Sequence, residues 1–188
     1  MGPEQPRLTP LGIAALALLA ERAMHPYEMY QLLVQRREDR VVKVRPGSLY
    51  HAIDRLAWKG LVRAVGTERE GNRPERTTYE ITSEGRSALT DRVSEMLATP
   101  VNEYPEFPLA IGEAHNLPRE TVLHLLQCRR MRLQSESEQL ATAVAHVTAK
   151  SIPRRFWLDV TYQQALLDAE IAWLDDLLTQ LETGALEW

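Results

Sequence analysis

Cysteine is almost missing from these 188 residues, and Cys128 stands alone. A disulfide within the chain is thereby excluded, which agrees with a reducing, cytoplasmic setting. The one long apolar run, Leu11 to Ala20, is about half of what a membrane span needs. It reads as a buried core helix, and no signal peptide is apparent. There is no glycine-rich loop to cradle phosphate and no Gly-x-Ser-x-Gly elbow, and the five histidines, His25, His51, His115, His124 and His146, form no zinc motif. No catalytic residue, metal ligand or cofactor is therefore expected, and an enzyme on a helical scaffold has no constellation to carry it. His124 precedes Cys128 by four residues on one helical face, where it could lower the thiol pKa or supply half a metal site, but a solvated pair is the plainer reading.

What the chain does hold is most organised between residues 46 and 82. Pro46-Gly47-Ser48-Leu49-Tyr50-His51 opens a helix that places Leu49, Ile53 and Leu56 on one face and leaves His51, Asp54, Arg55 and Lys59 on the other. Gly60 follows as a C-terminal cap that needs positive φ, so the helix is expected to end near Lys59. Leu61–Val65 and Thr77–Thr82 suit two strands, with Tyr79 and Ile81 alternating against Thr78, Glu80 and Thr82. Between them, Gly66 to Arg76 is turn chemistry around Gly71-Asn72 and Pro74, with Arg69, Arg73 and Arg76 suited to phosphate oxygens or a minor groove. Upstream, Thr9-Pro10 starts a helix that runs to Ala20. His25-Pro26 starts another, to about Arg37, which buries Met29, Leu32 and Leu33 and turns Arg36 and Arg37 to water. Glu38 to Arg45 connects it onward with Arg40, Lys43 and Arg45. Helix, helix, turn, helix and hairpin in this order predict a winged helix-turn-helix.

Any single arginine here is as easily a solvated surface residue as a contact. The clustering says more. Residues 36–76 hold 11 Lys or Arg against 6 Asp or Glu, a net of +5, in a chain whose net charge is −4. Residues 99–188 hold 7 bases against 13 acids, a net of −6. That asymmetry favours a DNA-binding module joined to an acidic partner domain. Thr99-Pro100 to Pro108 carries three prolines and is the natural junction, which gives a DNA-binding domain at 1–98 and a helical domain at 99–188.

On DNA, the free N–H groups at Gly47 and Ser48 and the helix dipole favour phosphate. Tyr50, His51 and Arg55 come nearest the major groove. Arg55 suits bidentate bonding to guanine O6 and N7, and Tyr50 suits phosphate or a thymine methyl. Lys43, Arg45 and Lys59 are expected to act through phosphates, and Arg73 and Arg76 through the wing.

In the second half, Trp157, Val160, Gln164, Leu167, Ile171, Leu174, Leu178 and Leu181 recur in steps of three and four, an a/d seam. Gln164 is its polar member and could set register or face a cavity. Leu126, Leu133, Leu140 and Val147 recur every seven residues on an earlier helix that starts near Pro118, and Ser151-Ile152-Pro153 joins the two. An antiparallel pair within one chain could absorb both stripes. Reading two half-sites needs a dimer, however, so the pair is also expected to pack on a two-fold mate, through Val160, Leu167, Ile171, Leu174, Leu178 and Leu181. Tyr104, Phe107, Phe156, Trp157, Tyr162 and Trp173 crowd this half, either as packing or as an effector pocket. The candidates for an effector are Phe107, Tyr162 and Trp173, with His146 or Arg155 for a carboxylate.

Leu11-Gly12-Ile13, His25-Pro26-Tyr27-Glu28-Met29, Gly47-Ser48-Leu49-Tyr50, Arg55-Leu56, Lys59-Gly60-Leu61-Val62 and Arg73 to Gly85, taken in this order and spacing, closely resemble PadR-family transcriptional regulators. The resemblance covers roughly residues 8–92, and Glu106-Phe107-Pro108-Leu109-Ala110 looks like the start of the helical C-terminal domain of longer members. It implies a cytoplasmic homodimeric repressor that binds an inverted repeat of double-stranded DNA and is released by a small molecule, often phenolic or a drug-like aromatic. The alternative is a winged-helix interaction adaptor without DNA binding. A pI near 5.8 is compatible with that, but the basic cluster argues against it.

Overall fold

The computed structural model describes residues 7–68 and 76–188, which are mainly helical and carry a two-stranded antiparallel sheet. Contacts divide the chain into two compact units, Met1–Asn102 and Glu103–Trp188. No described helix is long and apolar enough to cross a membrane.

In the first unit, α1 (Pro10–Glu21), α2 (Pro26–Gln35) and α3 (Pro46–Trp58) each begin on a proline. A first-turn residue has no use for the missing N–H, and the ring presets a helical φ. Thr9 Oγ1 accepts the Gly12 N–H at 3.2 Å and His25 Nδ1 accepts the Tyr27 N–H at 3.0 Å, so two further orphan donors are satisfied. The apolar run is a core helix as expected: Leu16, Leu18 and Leu19 are buried with Met29 and Leu33 of α2 and with Leu49, Ile53 and Leu56 of α3. Leu32 is half-buried at the edge of this cluster.

α2 stops at Gln35, short of Arg37, which takes φ +60° before a 3₁₀ turn at Glu38–Arg40. Arg36 does more than face water. Its two Nη groups donate to the carboxylate of Glu21 on α1, and this bond holds the Glu21 carboxyl below its ordinary range.

Gly60 has φ +71°, the left-handed cap that the end of α3 requires. The wing that follows is β1 (Val62–Glu68) paired with β2 (Arg76–Ile81), with Val62 opposite Ile81 and Arg63 opposite Glu80. β1 runs further than the expected Leu61–Val65, while β2 keeps the expected length and is displaced by one residue from Thr77–Thr82. Gly66, expected in the turn, pairs with Thr78 beyond a register shift at Val65, and a glycine in a strand interior commonly marks such a bulge. Met24, between α1 and α2, adds a bridge to β2, exchanging N–H···O bonds of 3.0 and 3.1 Å with Tyr79.

α4 (Ser83–Ala98) has one buried residue, Gly85, and its apolar row Leu89, Val93, Met96 and Leu97 is half-buried to exposed. Its start is capped: Thr82 Oγ1 accepts the Gly85 N–H at 3.0 Å and donates to Gly60 O at 2.8 Å, tying the helix start to the turn after α3. A Cβ on Gly85 would lie 2.0 Å from Leu61 O, so only glycine lets α4 approach this backbone.

In the second unit, α5 (Glu106–Gly112) precedes two long helices, α6 (Arg119–Ala149) and α7 (Leu158–Thr183). These run antiparallel: Arg119 donates to Leu181 O, Arg130 pairs with Asp175 at 2.7 Å, and Ser137 Oγ donates to Asp168 at 3.0 Å. Val122 and Leu126 of α6 cluster with Leu174, Leu178 and Leu181 of α7. The stripe read as a dimer seam is thus seated inside the chain's own hairpin, with Val160 and Ile171 also buried and Leu167 half-buried.

The packing at Gly85 yields a test. Gly85→Ala is expected to destabilise the first unit by about 1–3 kcal/mol through overpacking. Gly112→Ala, where a Cβ would meet nothing within 4 Å, should change stability by less than about 1 kcal/mol. Urea unfolding of both variants followed by circular dichroism measures the difference.

Candidate nucleic-acid interface

The orientation of α3 follows from what it buries. With Leu49, Ala52, Ile53 and Leu56 in the core, the opposite side is the row Gly47, His51, Asp54 and Trp58, spaced four, three and four, with Ser48 and Arg55 beside it. All six are exposed. Tyr50 lies to one side of this row, 42% exposed, and its ring meets His25 edge-on at 6.1 Å between centroids. The imidazole that caps α2 therefore also steadies a candidate contact on α3.

Three cations around this face carry no ion pair among the described residues, whereas several other arginines of the first unit do. Arg7 and Arg92 pair with Glu95, Arg22 with Glu28, Arg36 with Glu21 and Arg63 with Glu80. Lys43, Arg45 and Arg55 have no ion pair or hydrogen bond among the described residues. Lys43, Ser48, His51 and Arg55 converge with Thr9, Pro10, Leu11 and Val42 on a shallow cleft of about 340 Å³. The start of α1 thus joins the start of α3, a convergence that spacing within one helix does not reveal.

Lys59 is half-buried at the α3 cap. Arg73 lies outside the described residues. Arg76 is placed by its backbone at the start of β2. Unpaired cations and two helix starts on one exposed face suit a polyanion that carries its charge along a ridge. No group of three or more His, Cys, Asp or Glu among the described residues could hold a metal ion.

The five effector candidates do not form one cluster. Phe107 and Trp173 meet edge-on at 6.2 Å, and Arg129 lies 3.5 Å over the Phe107 ring while pairing with Glu170. His146, Arg155 and Tyr162 are exposed toward the other end of the hairpin, where Arg155 stacks on Phe156 at 4.8 Å. His146 is 17 residues from Arg129 along α6, about 25 Å of helix rise, and no single small ligand spans that. Cys128 Sγ lies 3.8 Å from His124 Nε2, a contact between neighbouring turns.

Residues 15–91, which contain α2, α3 and the wing, match the family model "Transcriptional regulator PadR-like family". This segment is similar to the PadR-like family. The likeness in fold extends over nearly the whole chain. Bacillus subtilis PadR in complex with operator DNA is 19% identical with a TM-score of 0.77, over 91% of this chain and 97% of that one. The same protein in complex with p-coumaric acid is 17% identical with a TM-score of 0.77, over 92% and 98%. The Vibrio cholerae virulence activator AphA is 20% identical with a TM-score of 0.72, again over 92% and 98%. None of the curated proteins compared matches this chain.

Within this PadR-like segment, sequence spacing finds His51 and Arg55 but passes over Trp58, which completes their row and is 85% exposed. Three- and four-residue steps from His51 would have reached it. The geometry separates two kinds of contact. Arg55→Ala is expected to lose about 1–3 kcal/mol on a preferred duplex and little on a random one, whereas Lys43→Ala should weaken both and lower the salt slope by about one. Anisotropy titrations at several salt concentrations check this, and equal losses for both variants on both duplexes would contradict it.

Proposed function

We propose that this chain is a sequence-specific, double-stranded-DNA-binding transcriptional regulator that acts in the cytoplasm as a homodimer. Residues 1–98 serve as the DNA-binding domain and 99–188 as the dimerisation and effector domain. The observation that carries the reading is the exposed face of α3, with Lys43, Arg45 and Arg55 unpaired around it. The operator complex of Bacillus subtilis PadR supports it.

A dimer fits the second unit as well. Beyond the stripe absorbed in the hairpin, α7 carries a further apolar row, Leu158, Tyr162, Leu166 and Trp173, between 45% and 66% exposed. Large apolar side chains recurring on one helical face seek a partner, and a second copy supplies one by two-fold symmetry. The same symmetry suits an inverted-repeat operator, whose half-sites lie about one DNA turn apart.

We infer that the regulation is repression, relieved by a small aromatic ligand. The p-coumaric acid complex of Bacillus subtilis PadR supports the ligand class. Within this chain Phe107 and Trp173 are the aromatic pair that such a ligand would meet together.

Anisotropy of labelled duplex from upstream of the chain's own gene, against a scrambled duplex, tests the reading. Selective, salt-sensitive binding with two protomers per site is the expected result, and equal affinity for both duplexes counts against it. Replacing Tyr162 and Leu166 together by Asp is expected to give monomers in sedimentation and at least tenfold weaker operator binding. A double variant that stays dimeric would remove the α7 row from the interface.

A further inference from the structure

We propose that Trp58 is a DNA contact that closes the far end of the α3 reading row by an apolar contact, against thymine methyl groups or deoxyribose carbons. The inference rests on the DNA-binding reading above and adds to it a contact that carries no charge.

Trp58 lies seven residues after His51 and three after Arg55, directly opposite the buried side of α3. It is 85% exposed, and its indole makes no hydrogen bond or ring contact among the described residues. Nothing in the core calls for it, since Leu49, Ile53 and Leu56 already fill the inner face. A large aromatic left in water on a helix flanked by cations has much to gain from burial against a partner. The flanking Arg55 and Lys59 make that partner a polyanion rather than an apolar protein groove. The length fits too. Gly47 to Trp58 covers about 16 Å at 1.5 Å per residue, close to five base-pair steps of about 3.4 Å, so the row spans one half-site. At the near end, helix N–H groups and Ser48 meet phosphate, and Arg55 reads bases about one turn before Trp58. At the far end the indole has the width to cover the apolar edge that thymine shows in the major groove or the sugar beside it.

The test uses full-length protein and an operator selected by the wild type from a random duplex pool. Trp58→Ala is expected to bind about tenfold more weakly, the loss for withdrawing roughly 50–60 Å² of apolar contact. The salt slope should stay unchanged because no charge is removed. Trp58→Phe should recover most of the affinity. Both variants should melt close to the wild type, since the side chain is 85% exposed. An operator with deoxyuridine in place of thymidine separates the two contact surfaces. If wild type weakens on it while Trp58→Ala does not, the indole sits on methyl groups; if neither changes, it sits on the sugar.

Trp58→Ala binding as tightly as wild type would overturn the proposal. So would a loss of binding that comes with a loss of dimer in sedimentation, which would make the indole a contact between copies. Failure of the wild type to select any duplex would instead overturn the DNA-binding reading itself, and this inference with it.

Discussion

The burial of one face of α3 is the constraint on which the rest depends. Leu49, Ile53 and Leu56 are at most 3% exposed and belong to the same cluster as Leu16, Leu18 and Leu19 of α1. Each such side chain gains about 1.5–3 kcal/mol from burial. A rotation of α3 by one residue, about 100°, would bring Arg55 or His51 toward the core and expose a leucine, losing that gain and adding the cost of an unpaired buried charge. The helix therefore has one rotational setting, and the row Gly47, His51, Asp54 and Trp58 faces outward as its consequence. An interface of this kind is specified by apolar residues that never touch the ligand.

That setting is handed to the wing over a very short stretch of backbone. Gly60 turns the chain with φ +71°, Leu61 N–H bonds back to Leu56 O at 2.9 Å, and Thr82 N–H bonds to Leu61 O at 3.1 Å. Thr82 then caps α4, and Gly85 packs against the same Leu61 carbonyl. Four groups within a few ångströms thus couple the end of α3, the base of the sheet and the start of α4. Backbone hydrogen bonds and a close approach of this kind leave little freedom for the sheet to swing independently of the helix.

What was legible in the sequence was whatever local chemistry decides. Pro10, Pro26 and Pro46 mark helix starts because proline's ring geometry is itself the signal, and Gly60 marks the cap because a positive φ excludes most side chains. The a/d stripe in α7 declared a buried surface but could not declare what buries it. One chain folded on itself and two chains side by side require the same spacing, and the hairpin with α6 took the stripe. α4 is passed over although Leu89, Val93, Met96 and Leu97 recur at helical spacing, and in the fold this row buries little, with Val93, Met96 and Leu97 exposed and only Gly85 fully covered. The effector candidates are not all brought together within the one chain. Aromatic content is a property of composition, whereas the meeting of Phe107 with Trp173 and Arg129 depends on the register of three helices. Asp54 shows the limit of reading by charge: it stands in the outward row, where a carboxylate repels phosphate yet can accept from a cytosine amino group.

Charge and selectivity in this molecule pull against each other. A regulator that held DNA through cations alone would bind all of it, since phosphate contacts carry no sequence information. Here the chain is net −4, and the acidic excess lies in residues 99–188. A negative net charge lowers the affinity for any polyanion at long range, an effect that salt screens, but it leaves short-range contacts in the groove untouched. Several arginines of the first unit are also paired with carboxylates, among them Arg22, Arg36 and Arg63, which weakens their long-range pull on a polyanion. On the DNA-binding reading proposed above, affinity would come from groups that work only at close fit: a fork-shaped guanidinium at Arg55, helix N–H groups at Gly47 and Ser48, and an exposed indole at Trp58. A surface built this way trades non-specific grip for contacts that a mismatched site cannot supply, which is what a protein choosing one operator among many competing sequences requires.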